Sequence, residues 1–278
     1  MQRIYVYTNR VKRSLQVKAQ LMEMLRKAGF VLSKNEPDLI LVVGGDGTML
    51  SAIRTLDHLN VPFLGVNTGS LGFLPGILPS EIEILPKLLS EETYYTEKYP
   101  TLEVKAKSLS GKEYTSYCFN EVLVKQHQPR LLEILIYLNG KPFNYYTGDG
   151  LIVSTPIGTT GYAIWTGGAA IESTLEAYQI TPIHPNDNRI NRPLKHSLIM
   201  PLSTKIELKV VRPQYRSVLA AVDGIYMTEE YLTDLTIRIS DRPVSILRAH
   251  DTTYFDLFRN KIVDKNIYRY LENPDENR

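Results

Sequence analysis

The periodicity of the apolar residues changes once along this chain, near Pro100. Before that residue, short apolar runs alternate with a helical pattern, and the run Leu39–Val43 has no polar position, as in a strand buried on both faces. After it, runs such as Leu132–Leu138 alternate every second residue between turn signals. The sequence therefore predicts an α/β N-terminal domain with a parallel, Rossmann-like sheet over residues 1–100. A β-rich, mainly antiparallel C-terminal domain should follow over residues 101–250.

Two stretches of the second domain carry more specific predictions. Asn139-Gly140 separates two alternating runs, and because both residues tolerate positive φ it predicts a two-residue hairpin. Residues 173–193 are rich in Pro, Asn, Asp and Thr and have no clean period, which predicts a long irregular connection. Such a connection, together with exposed strand edges, favours a homo-oligomer in which the connection touches a neighbouring subunit.

Charge and composition exclude several classes of function. The 32 Lys and Arg residues nearly balance the 30 Asp and Glu residues, so the chain lacks the basic character of nucleic-acid binders. No apolar run approaches the roughly 20 residues that cross a bilayer. The single cysteine, Cys118, cannot form an intrachain disulfide, and the start of the chain is too polar for a secretory signal, so a cytoplasmic location is expected. The five histidines lack metal-ligand spacing, and no structural metal is expected.

A glycine-rich motif, GGDGT at 44–48, follows the buried run Leu39–Val43 and precedes a predicted helix from Thr48 to about His58. Its glycines let the backbone approach a ligand, and the N-terminus of a helix presents N–H groups to phosphate oxygens. A carboxylate among such donors is unusual unless Asp46 binds Mg²⁺ or accepts a proton. For an isolated motif, the alternative that Asp46 only caps the helix is equally compatible with the sequence.

Two further polar motifs lie beside apolar runs. Gly148-Asp149-Gly150 precedes the run Leu151–Val153, and the loop at 154–162 follows it. The hydroxyls and glycines of this loop supply donors for a diphosphate or a ribose, and Tyr162 offers a ring for stacking. Asn120-Glu121, at the head of another apolar run, can donate to and accept from vicinal hydroxyls. Taken singly, these motifs are also typical of a polar turn and a solvated strand end.

Taken together and in this order, the motifs resemble those of the NAD kinase family. The resemblance rests on GGDGT at 44–48, NTGSLGFL at 67–74, NE at 120–121, GDG at 148–150, TPIGTTGY at 155–162, GG at 167–168 and VDG at 222–224. Lipid kinases and phosphofructokinases share a GGDG-type loop, whereas the TPIGTTGY run is far more specific.

The resemblance implies a role for each matching position. Asp46 would bind the ribose of the substrate and act as the catalytic base, while Asn120 and Glu121 would hold ribose hydroxyls. The remaining implied substrate-binding positions are Gly45 and Gly47, Phe73 and Leu74 beside the adenine, Asp149 at the frame of the pocket, Ser154, Thr159, Gly161 and Tyr162 near the adenosine, and Asp223 near the nicotinamide end.

The chain departs from the family pattern at three places, one of which is Ala169-Ala170, where the proline that usually follows the GG pair is absent. Gly161 stands where alanine is more usual, and Trp165, the only tryptophan, stands where a small or polar residue is more usual. We interpret Trp165 as a core aromatic on the buried face of the helix that follows the loop.

The activity implied by the resemblance is transfer of a phosphoryl group from ATP, or from a related donor such as polyphosphate, to the 2′-hydroxyl of the adenosine ribose of NAD, giving NADP. Mg²⁺ or another divalent cation would accompany the donor. The family also implies a homotetramer, with residues 251–278 returning to the N-terminal domain. Two alternatives remain open: a lipid or sphingoid kinase, which the polar loop at 154–162 opposes, and a dinucleotide-binding regulator without catalysis, which only Asp46 opposes.

Overall fold

The structure is a computed structural model that describes residues 2–56, 60–69, 72–74, 76–188, 190–249 and 253–263. The chain divides into two compact units. The first 98 residues, together with the chain from Val244 onward, form what we call the N-terminal unit. Residues Tyr99–Pro243 form the central unit.

Up to Tyr99 the chain alternates strands with helices: β1 (Arg3–Thr8), α1 (Lys12–Lys27), β2 (Val31–Leu32), β3 (Leu39–Val43), α2 (Asp46–Leu56), β4 (Phe63–Val66), α3 (Leu85–Ser90) and β5 (Tyr95–Tyr99). The residues that follow are mainly strands: β6 (Leu102–Ser108), β7 (Glu113–Cys118), β8 (Glu121–Gln126), β9 (Leu132–Leu138), β10 (Lys141–Ser154), α4 (Tyr162–Trp165), β11 (Ala177–Pro185), β12 (Leu198–Pro201), β13 (Ile206–Val210), β14 (Val218–Val222), β15 (Ile225–Tyr226) and β16 (Leu232–Ile239). The chain then adds β17 (Val244–Arg248) and α5 (Tyr254–Lys261).

The N-terminal unit is built on one sheet with the strand order β2-β1-β3-β4-β17-β5. Strand β1 pairs in parallel with β2 and β3, and β4 pairs in parallel with β3 and β17. All five residues of β3 are buried, as the unbroken apolar run predicts. Helix α1 packs Val17, Leu21 and Leu25 into the same core. It ends at Lys27, and Gly29, two residues later, has a φ of +88°, the left-handed conformation that commonly terminates helices.

The central unit is built on an antiparallel sheet. The strand order is β15-β14-β8-β10-β9-β13-β16-β6-β7. In addition, β11 pairs with β10, and β12 pairs with β11. Asn139 and Gly140 have φ angles of 50° and 75° and join β9 to β10, which confirms the predicted hairpin. Strand β10 is longer than predicted, because it includes Gly148-Asp149-Gly150. There a Cβ at Gly148 would overlap with the hydroxyl of Tyr146, so this glycine is required by packing.

The prediction of a long irregular connection over residues 173–193 is wrong. Strand β11 lies within it, pairs with β10 over most of its length, and pairs with β12 over Ala177–Ile180. Pro182 lies beyond the part that pairs with β12, where the strand needs N–H groups on one side only, so the proline is tolerated. Because of its prolines, the sequence pattern did not predict this strand. The irregular connection was one reason to expect a homo-oligomer, and that reason no longer holds. The oligomeric state stays a prediction.

The described ranges lack two features. Among those residues, no helix combines the length and the apolar composition needed to cross a membrane. The same residues contain no group of three or more His, Cys, Asp and Glu side chains placed to hold a metal ion.

Candidate functional site

The glycine-rich loop joins β3 to α2 in the N-terminal unit. The N–H of Gly44 donates to the carbonyl of Val66 at 2.9 Å, so the loop begins where β3 and β4 both end. A Cβ at Gly44 would overlap with the side chain of Thr48, which explains this glycine by packing. A Cβ at Gly45 or Gly47 would have no atom within 4 Å among the described residues. Packing therefore does not require these two glycines, and their backbone is open to the approach of a ligand.

Asp46 is the first residue of α2, and its carboxylate holds a distant segment of the N-terminal unit. Oδ2 accepts the N–H of Phe73 and Oδ1 accepts the N–H of Leu74, both at 3.1 Å. The structure thus brings together three of the predicted site residues. The capping alternative finds no support, because the hydrogen bonds of this carboxylate within the described part of the chain go to this segment and to Lys261. The side chain of Asp46 is 26% exposed, which leaves it accessible.

Arg248, which the sequence analysis did not single out, holds the same segment from its carbonyl side. Its guanidinium donates from Nη1 to the carbonyl of Leu74 at 2.7 Å and from Nη2 to the carbonyl of Phe73 at 3.0 Å. Nε donates to Glu97 at 2.8 Å. Asp46 and Arg248 therefore fix both the donors and the acceptors of residues 73–74. The only signal in the sequence is an arginine that directly follows the apolar pair Ile246-Leu247 at the end of β17.

Lys261, at the end of α5, is the second functional candidate that the sequence analysis missed. Its Nζ donates to Oδ2 of Asp46 at 2.5 Å and lies 4.8 Å from the centre of the Phe73 ring. Tyr254 of the same helix places its ring centre 6.0 Å from that of Phe73. The helix is capped at its start by Thr253, whose Oγ1 accepts the N–H of Asp256 at 3.2 Å.

In the central unit, Asp223 anchors the predicted Asn120-Glu121 pair. Asp223 and Gly224 form a tight turn after β14, with φ angles of 46° and 81°. The carboxylate accepts three backbone N–H groups, from Phe119 (2.8 Å), Asn120 (2.7 Å) and Glu121 (3.1 Å). Burial raises the pKa of Asp223, while these N–H bonds act in the opposite direction. Because the oxygens already hold the backbone of residues 119–121, the geometry favours a positioning role for Asp223.

Glu121 lies at the start of β8, opposite Ser154 of β10. Within the described ranges, Oε2 of Glu121 and Oγ of Ser154 are buried without a hydrogen-bond partner. A buried polar atom without a partner is costly, and a ligand that bonds to it removes that cost. Burial, and then the negative charge of Asp223, raise the pKa of Glu121 to about 7. This carboxyl can therefore be either a donor or an acceptor near neutral pH.

The stability of the protein should fall with rising pH because of Glu121. Its pKa is about 7 in the folded state, against about 4.3 in an unfolded chain. The folded state therefore binds this proton more tightly, and the resulting stability is lost as the pH rises from about 4.3 through about 7. Glu121→Gln removes the titration. Between those limits, urea unfolding should show that wild type loses about 2–3 kcal/mol relative to the variant. Parallel pH profiles would contradict the assignment.

The start of the predicted 154–162 loop packs against Asn120. Thr155 donates from Oγ1 to the carbonyl of Phe119 at 2.6 Å and from its N–H to the carbonyl of Asn120 at 2.9 Å. A Cβ at Gly158 would overlap with that same Asn120 carbonyl, so the close approach requires glycine. The structure therefore groups this loop with Asn120-Glu121, which the sequence could relate only through the resemblance.

The hydroxyl of Thr159 is fully engaged within the loop. It donates to the carbonyl of Pro156 at 2.6 Å and accepts the N–H of Ile171 at 2.9 Å. With its only proton used, Thr159 shapes the loop rather than offering a donor to a ligand. Gly161 lies close to the carboxylate of Glu121, because a Cβ there would come within 3.0 Å of Oε2. Because Gly161 has no side chain, space remains beside Oε2 of Glu121, which has no hydrogen-bond partner among the described residues.

Tyr162 and Trp165 lie on α4, a helix of a single turn. The interpretation of Trp165 as a core aromatic is wrong, since its side chain is 76% exposed. The reason is the length of the helix: α4 has only four residues, of which Ala163 is the buried one. Tyr162 is 44% exposed, which leaves its ring available for stacking.

Asp149 is a predicted site residue that the structure does not group with the other predicted residues of the central unit. It lies on β10 five positions before Ser154, roughly 16 Å away along the strand at about 3.3 Å per residue. Its carboxylate pairs with Nδ1 of His184 at 3.0 Å, and both side chains are exposed.

Similarity to known proteins extends over both units. Residues 4–94 match the ATP-NAD kinase N-terminal domain, and residues 119–249 match the ATP-NAD kinase C-terminal domain. An NAD kinase of Streptococcus pneumoniae (strain Hungary19A-6) is 36% identical over 255 residues, which cover 91% of this chain and 93% of that protein. An NAD kinase of Leuconostoc citreum (strain KM20) is 32% identical over 244 residues, which cover 87% and 91%.

Two solved structures resemble this one. Yeast NADH kinase complexed with NADH has a TM-score of 0.83 at 18% identity, covering 96% of this chain and 88% of that one. An NAD kinase from Archaeoglobus fulgidus in complex with ATP has a TM-score of 0.75 at 24% identity, covering 93% and 99%. At these identities the likeness shows the fold alone. It confirms the predicted combination of an α/β N-terminal part with a β-rich, antiparallel C-terminal part.

Proposed function

Because the chain belongs to the NAD kinase family and is an enzyme of that family, we propose that it transfers the terminal phosphoryl group of ATP, or of polyphosphate, to the 2′-hydroxyl of the adenosine ribose of NAD. The observation that carries the proposal is the accessible Asp46 carboxylate, held by two backbone N–H groups beside the open glycines of the loop. Family membership removes the lipid-kinase alternative, and the position of Asp46 favours catalysis over a regulator that has lost it.

The proposed chemistry needs one proton acceptor and a way to balance phosphate charge. The 2′-oxygen of the ribose forms a bond to the phosphorus as the bond from that phosphorus to the leaving oxygen breaks. The hydroxyl proton passes to Asp46, and the donor leaves shorter by one phosphoryl group. In the first turn of α2, the N–H groups of Thr48 and Met49 donate to the carbonyl of Gly45. The N–H groups of Asp46 and Gly47 have no acceptor among the described residues, so they are available to phosphate oxygens.

We assign recognition of the dinucleotide to the central unit. Glu121 and Ser154 offer buried polar atoms without partners among the described residues, and both suit ribose hydroxyls. Asp223 positions Glu121 by binding the backbone N–H groups of residues 119–121. Tyr162 supplies an exposed ring for the adenosine.

A divalent cation such as Mg²⁺ would arrive with the donor phosphates. Mg²⁺ keeps several waters and is usually bound by one or two carboxylates together with phosphate oxygens. Asp46 fits that pattern because its carboxylate is partly exposed at the phosphate-binding loop.

A phosphorylation assay tests the proposal directly. The purified protein is incubated with NAD or NADH and with ATP or polyphosphate, in the presence of Mg²⁺ or of a chelator. NADP formation is measured with an NADP-specific dehydrogenase, and phosphorus NMR identifies the phosphorylated hydroxyl. We expect the 2′-phosphate and its loss on chelation. Phosphate on another hydroxyl, or no product with any pair, would refute the function. An NAD kinase solved with ATP supports ATP as the first donor to test.

Replacing Tyr162 with Ala should weaken NAD binding by about 1–3 kcal/mol, the usual contribution of one aromatic stacking contact. Folding should change little, because the ring is substantially exposed. Tyr215→Ala is the matched control, since Tyr215 is an exposed tyrosine of the same unit outside the proposed site. Titration calorimetry with NAD measures both variants. Equal NAD affinity in wild type and Tyr162→Ala would rule out the ring as a substrate contact.

A further inference from the structure

The C-terminal helix α5 brings a cation to Asp46. Lys261 is 215 positions from Asp46 in sequence, yet its Nζ donates to Oδ2 of that carboxylate. The contact lies within the N-terminal unit, to which both residues belong. An ammonium beside the proposed proton acceptor requires an explanation, because it occupies an oxygen of the carboxylate that the proposed chemistry needs for the ribose hydroxyl.

Lys261 is not needed to orient Asp46. The N–H groups of Phe73 and Leu74 already bind one carboxylate oxygen each. Arg248 in turn fixes residues 73–74 through their carbonyls. The carboxylate would therefore keep its position without the lysine, so the role of Lys261 must lie in its charge.

The ammonium of Lys261 also retains capacity for another partner. It carries three donors, and Asp46 accepts one of them. No further hydrogen bond or ion pair of Lys261 occurs within the described residues. The side chain is 32% exposed, and its Nζ also lies over the face of the Phe73 ring. A flexible lysine held in this way can change partners at low cost.

We propose that Lys261 binds the phosphoryl group that the donor transfers, a step that rests on the proposed function. When the donor phosphates reach the glycine-rich loop, the ammonium exchanges Asp46 for phosphate oxygens. Its positive charge offsets the negative charge on the phosphate. Asp46 is then released from the ammonium and can accept the hydroxyl proton of the ribose. One lysine would thus occupy the carboxylate before the donor binds and release it when the donor is in place.

Lys261→Met tests this proposal because it keeps the length of the side chain and removes its charge. We expect the donor KM, and the dissociation constant of a non-hydrolysable ATP analogue, to rise about 10- to 100-fold, the range for loss of a hydrogen bond between charged groups. NAD affinity should stay the same, because no dinucleotide contact is assigned to Lys261. Lys261→Arg should recover most of the donor affinity. Lys27→Met is the matched control, since Lys27 is an exposed lysine of α1 paired only with Glu23.

A merely structural role for Lys261 predicts a different result. If the lysine only ties α5 to Asp46, Lys261→Met should lower the melting temperature and change the KM values of both substrates together. That outcome, or an unchanged affinity for the ATP analogue, would overturn the proposal. Failure of the proposed function gives a separate result, because then wild type makes no NADP. Calorimetry with the ATP analogue still tests Lys261 in that case, since it needs no turnover.

Discussion

Asp46→Asn should lower turnover by about 10²- to 10⁴-fold, the usual contribution of a general base. The substitution keeps the shape of the side chain but removes the charge that accepts the proton. NAD affinity should change less, because the amide can still bond to a ribose hydroxyl. Turnover with saturating NAD and ATP, together with NAD binding by calorimetry, separates the two effects on one purified variant.

The structure adds an effect of Asp46→Asn on stability. Both carboxylate oxygens accept a backbone N–H, and an amide offers only one oxygen. One N–H of residues 73–74 would then face the amide NH₂, at a cost of about 1–3 kcal/mol. Thr101→Val is a suitable control, because it removes the hydrogen bond from the buried Thr101 to the Arg242 carbonyl in the central unit, at no residue of the proposed site. A similar loss of stability in this control, with turnover intact, would show that destabilisation alone does not explain the Asn variant.

The result that would refute the catalytic role is near-normal turnover in Asp46→Asn. That outcome would restore the alternative in which Asp46 is purely structural. The geometry opposes the simplest form of that alternative, a helix cap, because among the described residues the carboxylate bonds to residues 73–74 and to Lys261 and not to its own helix.

Local patterns in the sequence were enough to predict the elements that depend on neighbouring residues. The apolar run Leu39–Val43 forms a fully buried strand with its predicted limits. The hairpin at Asn139-Gly140 follows from two residues that tolerate positive φ. Strand β11 escaped prediction because Pro182 and Pro185 are strong signals against a strand, and only the partner strands show that they are tolerated.

The site itself could be predicted only in part, because its geometry depends on contacts between distant segments. The motif at 44–48 indicated that Asp46 follows a buried strand, but its bonds reach residues 73–74 and Lys261, which no local pattern connects. Trp165 was misplaced for a related reason: a large aromatic is usually buried, but the single turn of α4 gives it no core to enter. The role of Asp223 also arises from a long-range contact, about 100 positions along the chain from its partners.

Asp223→Ala should be the most destabilising of the substitutions considered. It removes the acceptor of three backbone N–H groups in a buried position, each of which costs about 1–3 kcal/mol when left unsatisfied. Ala also tolerates the φ of 46° less well than Asp does. Allowing for partial relaxation, we expect a loss of about 3–5 kcal/mol in the free energy of unfolding.

Asp223→Asn keeps the argument testable if the Ala variant does not fold. Asn tolerates the left-handed turn but offers one acceptor oxygen, so the loss should be smaller, about 1–3 kcal/mol. NAD affinity should fall with it, because the backbone that positions Glu121 loses part of its support. The pKa of Glu121 should also fall, since the charge of Asp223 contributes to its rise to about 7. Carbon NMR of the Glu121 carboxyl measures that pKa, and urea unfolding measures the stability. Asp241→Asn is the control for the loss of a charge, because Asp241 is exposed in the same unit. Unchanged NAD affinity and an unchanged Glu121 pKa in Asp223→Asn would show that Asp223 does not position the dinucleotide-binding residues.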